Sequence, residues 1–223
     1  MKRKDMILMV SLELFNQLGE SNVTSVDIAN ELDISPGNLY YHFKGKEEII
    51  AALVRRFAAE LDAILAATQA WEKTLLGQWL LVYLVLERVY ANRFFFRNIP
   101  DILYNYPESG KLLLKILEQL KGSFTGFITL LAEREEIGIS TVQKNLISKL
   151  VKSIMLVVIY WESYQVLNRQ QVAEIEFVQD AGLQILSLIT PYLSDDRIRD
   201  IHQLHQQYLR DKITPALEAI NPV

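Results

Sequence analysis

Residues 24–50 read TSVDIANELDISPGNLYYHFKGKEEII, and the punctuation of this stretch decides the architecture around it. Thr24 or Ser25 offers a side-chain oxygen to cap a short helix through Leu32, in which Val26, Ile28, Ala29 and Leu32 recur at helical spacing. Asp33 and Ile34 form a tight turn. Ser35-Pro36 then reads as an N-cap followed by proline at the first helical position, where its fixed φ suits the helix and the missing N–H had no partner to lose. This next helix runs to about Phe43 and is broken by Lys44-Gly45. Two short helices joined by a turn of three or four residues make a helix-turn-helix, whose second helix can enter a DNA major groove. They also make an ordinary helical corner, and the spacing alone does not separate the two.

Outward from this unit the pattern stays helical. Upstream, Met6, Met9, Val10, Leu14 and Leu18 share a 3–4 spacing over residues 5–18, and Gly19 sits where a left-handed cap ends a helix. Downstream, Lys46 to about Thr68 places Ile49, Leu53, Phe57, Leu61 and Leu65 on one stripe. Further helices are expected over Trp71–Asn92, near Pro100–Asn105, and over Glu108–Glu136, Ser140–Leu167, Gln171–Leu193 and Ser194–Lys212. Their punctuation is Pro100, Pro107, Gly138, Pro191, Pro215 and Pro222. No segment alternates with period two for long, and nine glycines and six prolines in 223 residues are too few turn signals for a sandwich or barrel. The expected fold is all-α. A three-helix head with the helix-turn-helix occupies residues 1–45, and a larger antiparallel helical domain occupies residues 46–223, joined through the helix at 46–68.

Composition narrows the function classes. Half of the residues are hydrophobic and 22% are charged, which suits a packed core and not a disordered chain. The absence of cysteine excludes disulfides, thiolate metal sites and cysteine nucleophiles, and fits a reducing compartment. The apolar runs Trp79–Leu86 and Ile154–Trp161 are too short to span a bilayer and read as core helices. Ser11, Glu13 and Asn16 interrupt the apolar start, so a cytoplasmic chain is expected. Net charge is −4, and residues 1–60 hold nine acidic against seven basic residues, so any DNA contact must be local and helped by a second copy. No glutamate precedes a histidine by three, no glycine-rich phosphate loop or nucleophile elbow occurs, and the pair His202 and His205 falls in a charged helix that reads as a solvated face. No cofactor, metal or catalytic group is expected.

The stretch 24–50 resembles the N-terminal signature of the tetracycline repressor (TetR) family of bacterial regulators. The matching positions are Thr24, Ile28, Ala29, Ser35, Gly37, Leu39, Tyr40, Phe43, Lys46 and Ile49. One departure is Asp33, where the family often has glycine with positive φ, a region aspartate tolerates better than most residues. Ile28, Ala29, Leu32, Ile34, Leu39 and Phe43 read as scaffold holding the two helices together. Asn38, Tyr41 and His42 face outward, and an asparagine can bond an adenine edge with both amide atoms.

The resemblance implies that Asn38, Tyr40, Tyr41, His42 and Lys46 lie against an operator, with Tyr40 and Lys46 on phosphates. It adds Ser25, Pro36 and Gly37 at the two helix starts. Lys2-Arg3-Lys4 reads either as an arm reaching DNA or as a solubilising terminus. The resemblance further implies a homodimer through helices about 140–167 and 171–193, where Ile147, Leu150, Ile154, Val158, Phe177, Leu183, Leu186 and Ile189 exceed one core-facing stripe. It also implies a pocket for a small, largely hydrophobic effector, for which Trp79, Tyr83, Phe96, Tyr104, Phe124, Phe127, Met155, Ile159 and Glu162 are the candidates. The function implied is a repressor of transcription. A helical interaction protein, or a helical-bundle enzyme that keeps the N-terminal fold, remains the alternative.

Overall fold

The computed structural model describes residues 2–69, 75–97, 99–168 and 173–220, and among them no strand occurs. The helices are α1 (Arg3–Leu18), α2 (Ser25–Glu31), α3 (Pro36–His42), α4 (Lys46–Gln69), α5 (Leu75–Ala91), α6 (Arg93–Arg97), α7 (Ile99–Asn105), α8 (Pro107–Glu133), α9 (Lys144–Leu167), α10 (Glu174–Ile189) and α11 (Asp195–Ile220). Single 3₁₀ turns lie at Glu20–Asn22 and Thr190–Tyr192. The expected helix starts at Trp71 and Gln171, and the stop at Pro222, lie outside the described residues. Helix α6 had no signal of its own. Helix α11 continues through Pro215 instead of ending at Lys212.

The chain forms two compact units, residues 1–62 with 91–118, and residues 63–90 with 119–223. In the first unit the buried face of α1 is not the expected stripe. Ile7, Ser11, Phe15 and Asn16 are buried, whereas Met9 and Leu18 are exposed. A hydrophobic count overlooks this face because its polar members are satisfied inside. The Ser11 hydroxyl donates to the Ile7 carbonyl at 2.7 Å. The Asn16 amide donates to the Ala91 carbonyl at 2.8 Å and accepts the Phe94 N–H at 3.1 Å. Phe15 meets Phe94 with ring centroids 5.3 Å apart, and Phe57 of α4 meets Phe95 and Phe96 at 6.0 and 5.8 Å. Ile49, Leu53, Phe57 and Leu61 of the expected α4 stripe are buried, and Leu65 is half-buried.

In the second unit the run in α5 is core, with Trp79, Val82, Tyr83 and Leu86 buried. Helix α10 reaches Tyr83 closely at Gly182, where an added Cβ would stand 2.9 Å from the ring, so glycine is what permits this packing. Tyr83 stacks on Tyr208 of α11 at 4.5 Å, and its hydroxyl lies 2.7 Å from His205 Nδ1. Tyr208 donates to the buried Glu87 at 2.6 Å. His205 therefore departs from the expected solvated face. It is 2% exposed while His202 faces solvent, because α11 turns one side inward. Burial first, and the nearby His202 charge second, lower the His205 pKa; burial pushes the Tyr83 phenol up to about 12.

Helices α9 and α10 pack on each other, and the chain itself buries most of the apolar residues that suggest a second copy. Ile147, Leu150, Ile154, Val158, Phe177, Leu186 and Ile189 are buried within the chain, and Leu183 is half-buried. What α9 leaves on its surface is a different stripe: Leu156, Tyr160, Tyr164 and Leu167.

Candidate nucleic-acid interface

Local chemistry builds the helix-turn-helix almost by itself. Thr24 caps α2: its Oγ1 accepts the Asp27 N–H at 3.2 Å, while the Asp27 carboxylate accepts the Thr24 N–H and O–H at 2.8 and 2.7 Å. The Thr24 hydroxyl, followed by its backbone N–H, holds the Asp27 carboxyl below its ordinary range. Asp33 takes φ 51°, as the comparison with glycine at this turn anticipates, and its N–H bonds the Asn30 carbonyl at 3.0 Å. Ser35 caps α3 by accepting the Asn38 N–H at 3.2 Å, with Pro36 at the helix start.

Burial then decides which way α3 faces. Leu39 is fully buried and Phe43 nearly so, which anchors the inner side of α3 against Ile28 and Ala29, also buried; Leu32 and Ile34 are half-buried. Gly37, Asn38 and Tyr41 recur at i, i+1 and i+4 on the outer side, and all three are exposed. Tyr41 is 80% exposed and its ring meets His42 edge-on at 5.2 Å. Tyr40 is exposed, so it does not serve as core, while His42 is half-buried; Ser25 is half-buried at the start of α2, and Pro36 is exposed. The outer face thus carries an amide, two phenols and an imidazole, groups that reach base edges and phosphates.

Basic residues beside this face also make contacts within their own chain. Arg3 and Lys4 belong to the first turn of α1, not to an arm, and the Lys4 ammonium lies over the Phe43 ring at 5.0 Å. Lys46 is turned toward its own chain: Nζ donates to the Glu20 carbonyl at 2.9 Å and the Val23 carbonyl at 3.1 Å and pairs with Glu20 Oε1 at 2.7 Å. Tyr106 donates to that same carboxylate oxygen. Sequence reasoning missed Glu20 and Tyr106, because 86 residues separate them and neither lies in a recognisable pattern.

The effector-site candidates divide between the units. Trp79, Tyr83, Phe124, Phe127, Met155 and Glu162 are buried in the second unit, with Ile159 half-buried. Phe96 is buried in the first unit against Phe57. Tyr104 is 86% exposed, which removes it from the wall of an enclosed pocket; its side of the short helix α7 faces out while Ile102 takes the buried side. Among the described residues no group of three or more His, Asp or Glu is placed to hold a metal, and no helix is long and apolar enough to cross a membrane.

Capped short helices, a left-handed turn residue and an outward polar face on the second helix define a helix-turn-helix protein of the DNA-reading type. Family comparison is specific. Residues 7–53 match the model for bacterial regulatory proteins of the tetR family, and residues 56–201 match that of a bacterial transcriptional repressor, also TetR. The chain belongs to the TetR family. A TetR-family transcriptional regulator from Marinobacter aquaeolei superposes with a TM-score of 0.80 at 29% identity, covering 93% of this chain and 99% of that one. The HTH-type transcriptional repressor KstR2 of Mycolicibacterium smegmatis is 27% identical over 124 residues, 53% of this chain and 60% of its own length. The HTH-type transcriptional regulator QacR of Staphylococcus aureus is 43% identical over 54 residues, 24% of this chain and 29% of its own. These two curated relatives are therefore matched over less than two thirds of their lengths.

Proposed function

We propose that this protein is a homodimeric repressor of transcription that binds a palindromic operator through α3 and is released by a small, largely hydrophobic effector. The observation that carries the reading is the outer face of α3, with Asn38 and Tyr41 exposed on a helix anchored from behind by Leu39. Asn38, Tyr41 and His42 are the base-reading groups; Tyr40, Ser25, Pro36 and Gly37 approach the sugar-phosphate backbone, where helix N-termini favour phosphate. Lys46 backs this surface from the start of α4.

The chain's acidic balance supports reading by two copies, since a single head has few basic groups to offer. The exposed stripe Leu156, Tyr160, Tyr164 and Leu167 on α9 is the face we assign to the partner copy, with α10 beside it. For the effector we assign the second unit and its buried set Trp79, Tyr83, Phe124, Phe127, Met155, Ile159 and Glu162, mostly apolar with a few polar groups, as small-molecule sites are. The domains read as residues 1–45 for DNA and 46–223 for sensing and dimerisation, joined through α4.

Selection of operators from random duplex DNA, followed by footprinting, tests the reading. A two-fold symmetric protected site that Asn38→Ala weakens is the expected result. Selection of no sequence above background overturns it.

A further inference from the structure

The Lys46 ammonium carries three protons and has three acceptors from its own chain, the Glu20 carboxylate and the carbonyls of Glu20 and Val23. To reach a phosphate it would have to abandon a carboxylate that is 8% exposed, leaving that charge, among the described residues, to the Tyr106 phenol. Its acceptors occupy the 3₁₀ turn Glu20–Asn22 and the residue after it, immediately before the Thr24 cap. Lys46 therefore pins the point where α2 begins to the point where α4 begins, with α3 held between them. Tyr106 reaches the same carboxylate from the junction of α7 and α8, where its N–H bonds the Ile102 carbonyl at 3.0 Å and its carbonyl accepts the Gly110 N–H at 2.8 Å. Burial, and then the Glu20 bond, raise the Tyr106 pKa, so the phenol stays a donor throughout the physiological range.

We infer that Lys46 is a positioning residue of the helix-turn-helix and not a phosphate contact, and that Tyr106, acting through Glu20, ties residues 91–118 to the placement of α2 and α3. This rests on the DNA-binding reading for its consequence, but the latch itself can be measured without DNA. Residues 91–118 lie outside the matched DNA-binding segment 7–53 yet belong to the same compact unit, so a strain on them has a polar route to the recognition helix.

The test uses the full chain with Lys46→Gln, Glu20→Gln and Tyr106→Phe, the last keeping the ring and losing only the hydroxyl. Amide hydrogen exchange at Asn22, Val23 and Thr24 is expected to accelerate in all three, at a melting temperature that shows each remains folded. On an operator selected by the wild-type protein, each variant is expected to lose affinity, Tyr106→Phe by about fivefold. The slope of log affinity against log salt is expected to stay unchanged, and the Lys46→Gln, Glu20→Gln double variant to lose no more than the worse single one. A lysine on phosphate would instead lower that slope by about 0.9 per contact, about 1.8 for two copies, and such a fall overturns the inference. Unchanged exchange in Tyr106→Phe also overturns it. Should the wild type select no operator, the DNA reading fails while the exchange result still decides the latch.

Discussion

Helices α3 and α9 both show tyrosines to solvent, yet the two surfaces ask for different partners. On α3, Tyr40 and Tyr41 stand among Asn38, His42 and the following Lys44, so the rings share their surface with groups that hydrogen-bond and carry charge. On α9, Tyr160 and Tyr164 stand in line with Leu156 and Leu167, and Tyr164 stacks on Trp161 at 5.3 Å. A phenol among amides and imidazoles suits bases and phosphates, whereas the same phenol among aliphatic side chains continues an apolar stripe that loses free energy in water until something covers it. The company of an exposed aromatic, more than the aromatic itself, says what it meets.

Breaking the α9 side of this contrast has the largest expected effect. Leu156→Glu with Tyr160→Glu places charges on the proposed partner face; the expected outcome is a monomer by analytical ultracentrifugation with helical content intact. Operator affinity should fall by about a hundredfold or more as the second head is lost. A dimer that survives both charges removes α9 as the interface. On α3 the losses are smaller and separate from folding: Asn38→Ala or Tyr41→Ala should each cost about 1–3 kcal/mol of operator binding per base contact. The melting temperature should not move, since both side chains are exposed.

Buried polar groups sharpen the comparison by doing the reverse. Tyr83→Phe removes the hydroxyl bonded to His205 and should cost about 1 kcal/mol of stability in denaturant titrations, leaving DNA affinity alone. The smallest effect is in pH. Because the folded His205 pKa is depressed below its ordinary 6.5, the unfolded chain binds the proton more readily. Stability is therefore expected to fall as pH is lowered through 6.5 toward the depressed value, and thermal melting of His205→Gln should show a shallower fall than the wild type.

Much of the first unit was legible from residues alone because its signals are local. Thr24, Ser35-Pro36 and Asp33 act within four residues of themselves, so capping and turn chemistry reveal α2, the turn and α3 at nearly their true limits. The buried face of α1 was not legible, since Ser11 and Asn16 look like surface residues until Ile7, Ala91 and Phe94 are brought to them. Tyr104 misled in the opposite sense: an aromatic in a helical segment suggests burial, but a seven-residue helix has only one inner side and Ile102 takes it. The apolar surplus on α9 and α10 pointed to a second copy through residues that the chain itself buries, and only the packed structure shows which others remain outside.

The sequence by itself determined that this chain is helical, that it carries a capped helix-turn-helix at residues 24–43, and that Asn38 and Tyr41 share a face opposite Leu39. Each follows from interactions within about four residues, which a linear order already brings together. Tertiary structure alone decided that Lys46 spends its ammonium on Glu20 and Val23, that Tyr106 joins them, and that His205 is buried against Tyr83. Those choices pair groups 23 to 122 residues apart. For such pairs the favourable term is a buried, charge-assisted or shielded hydrogen bond, whose worth depends on exclusion of water that no local pattern encodes.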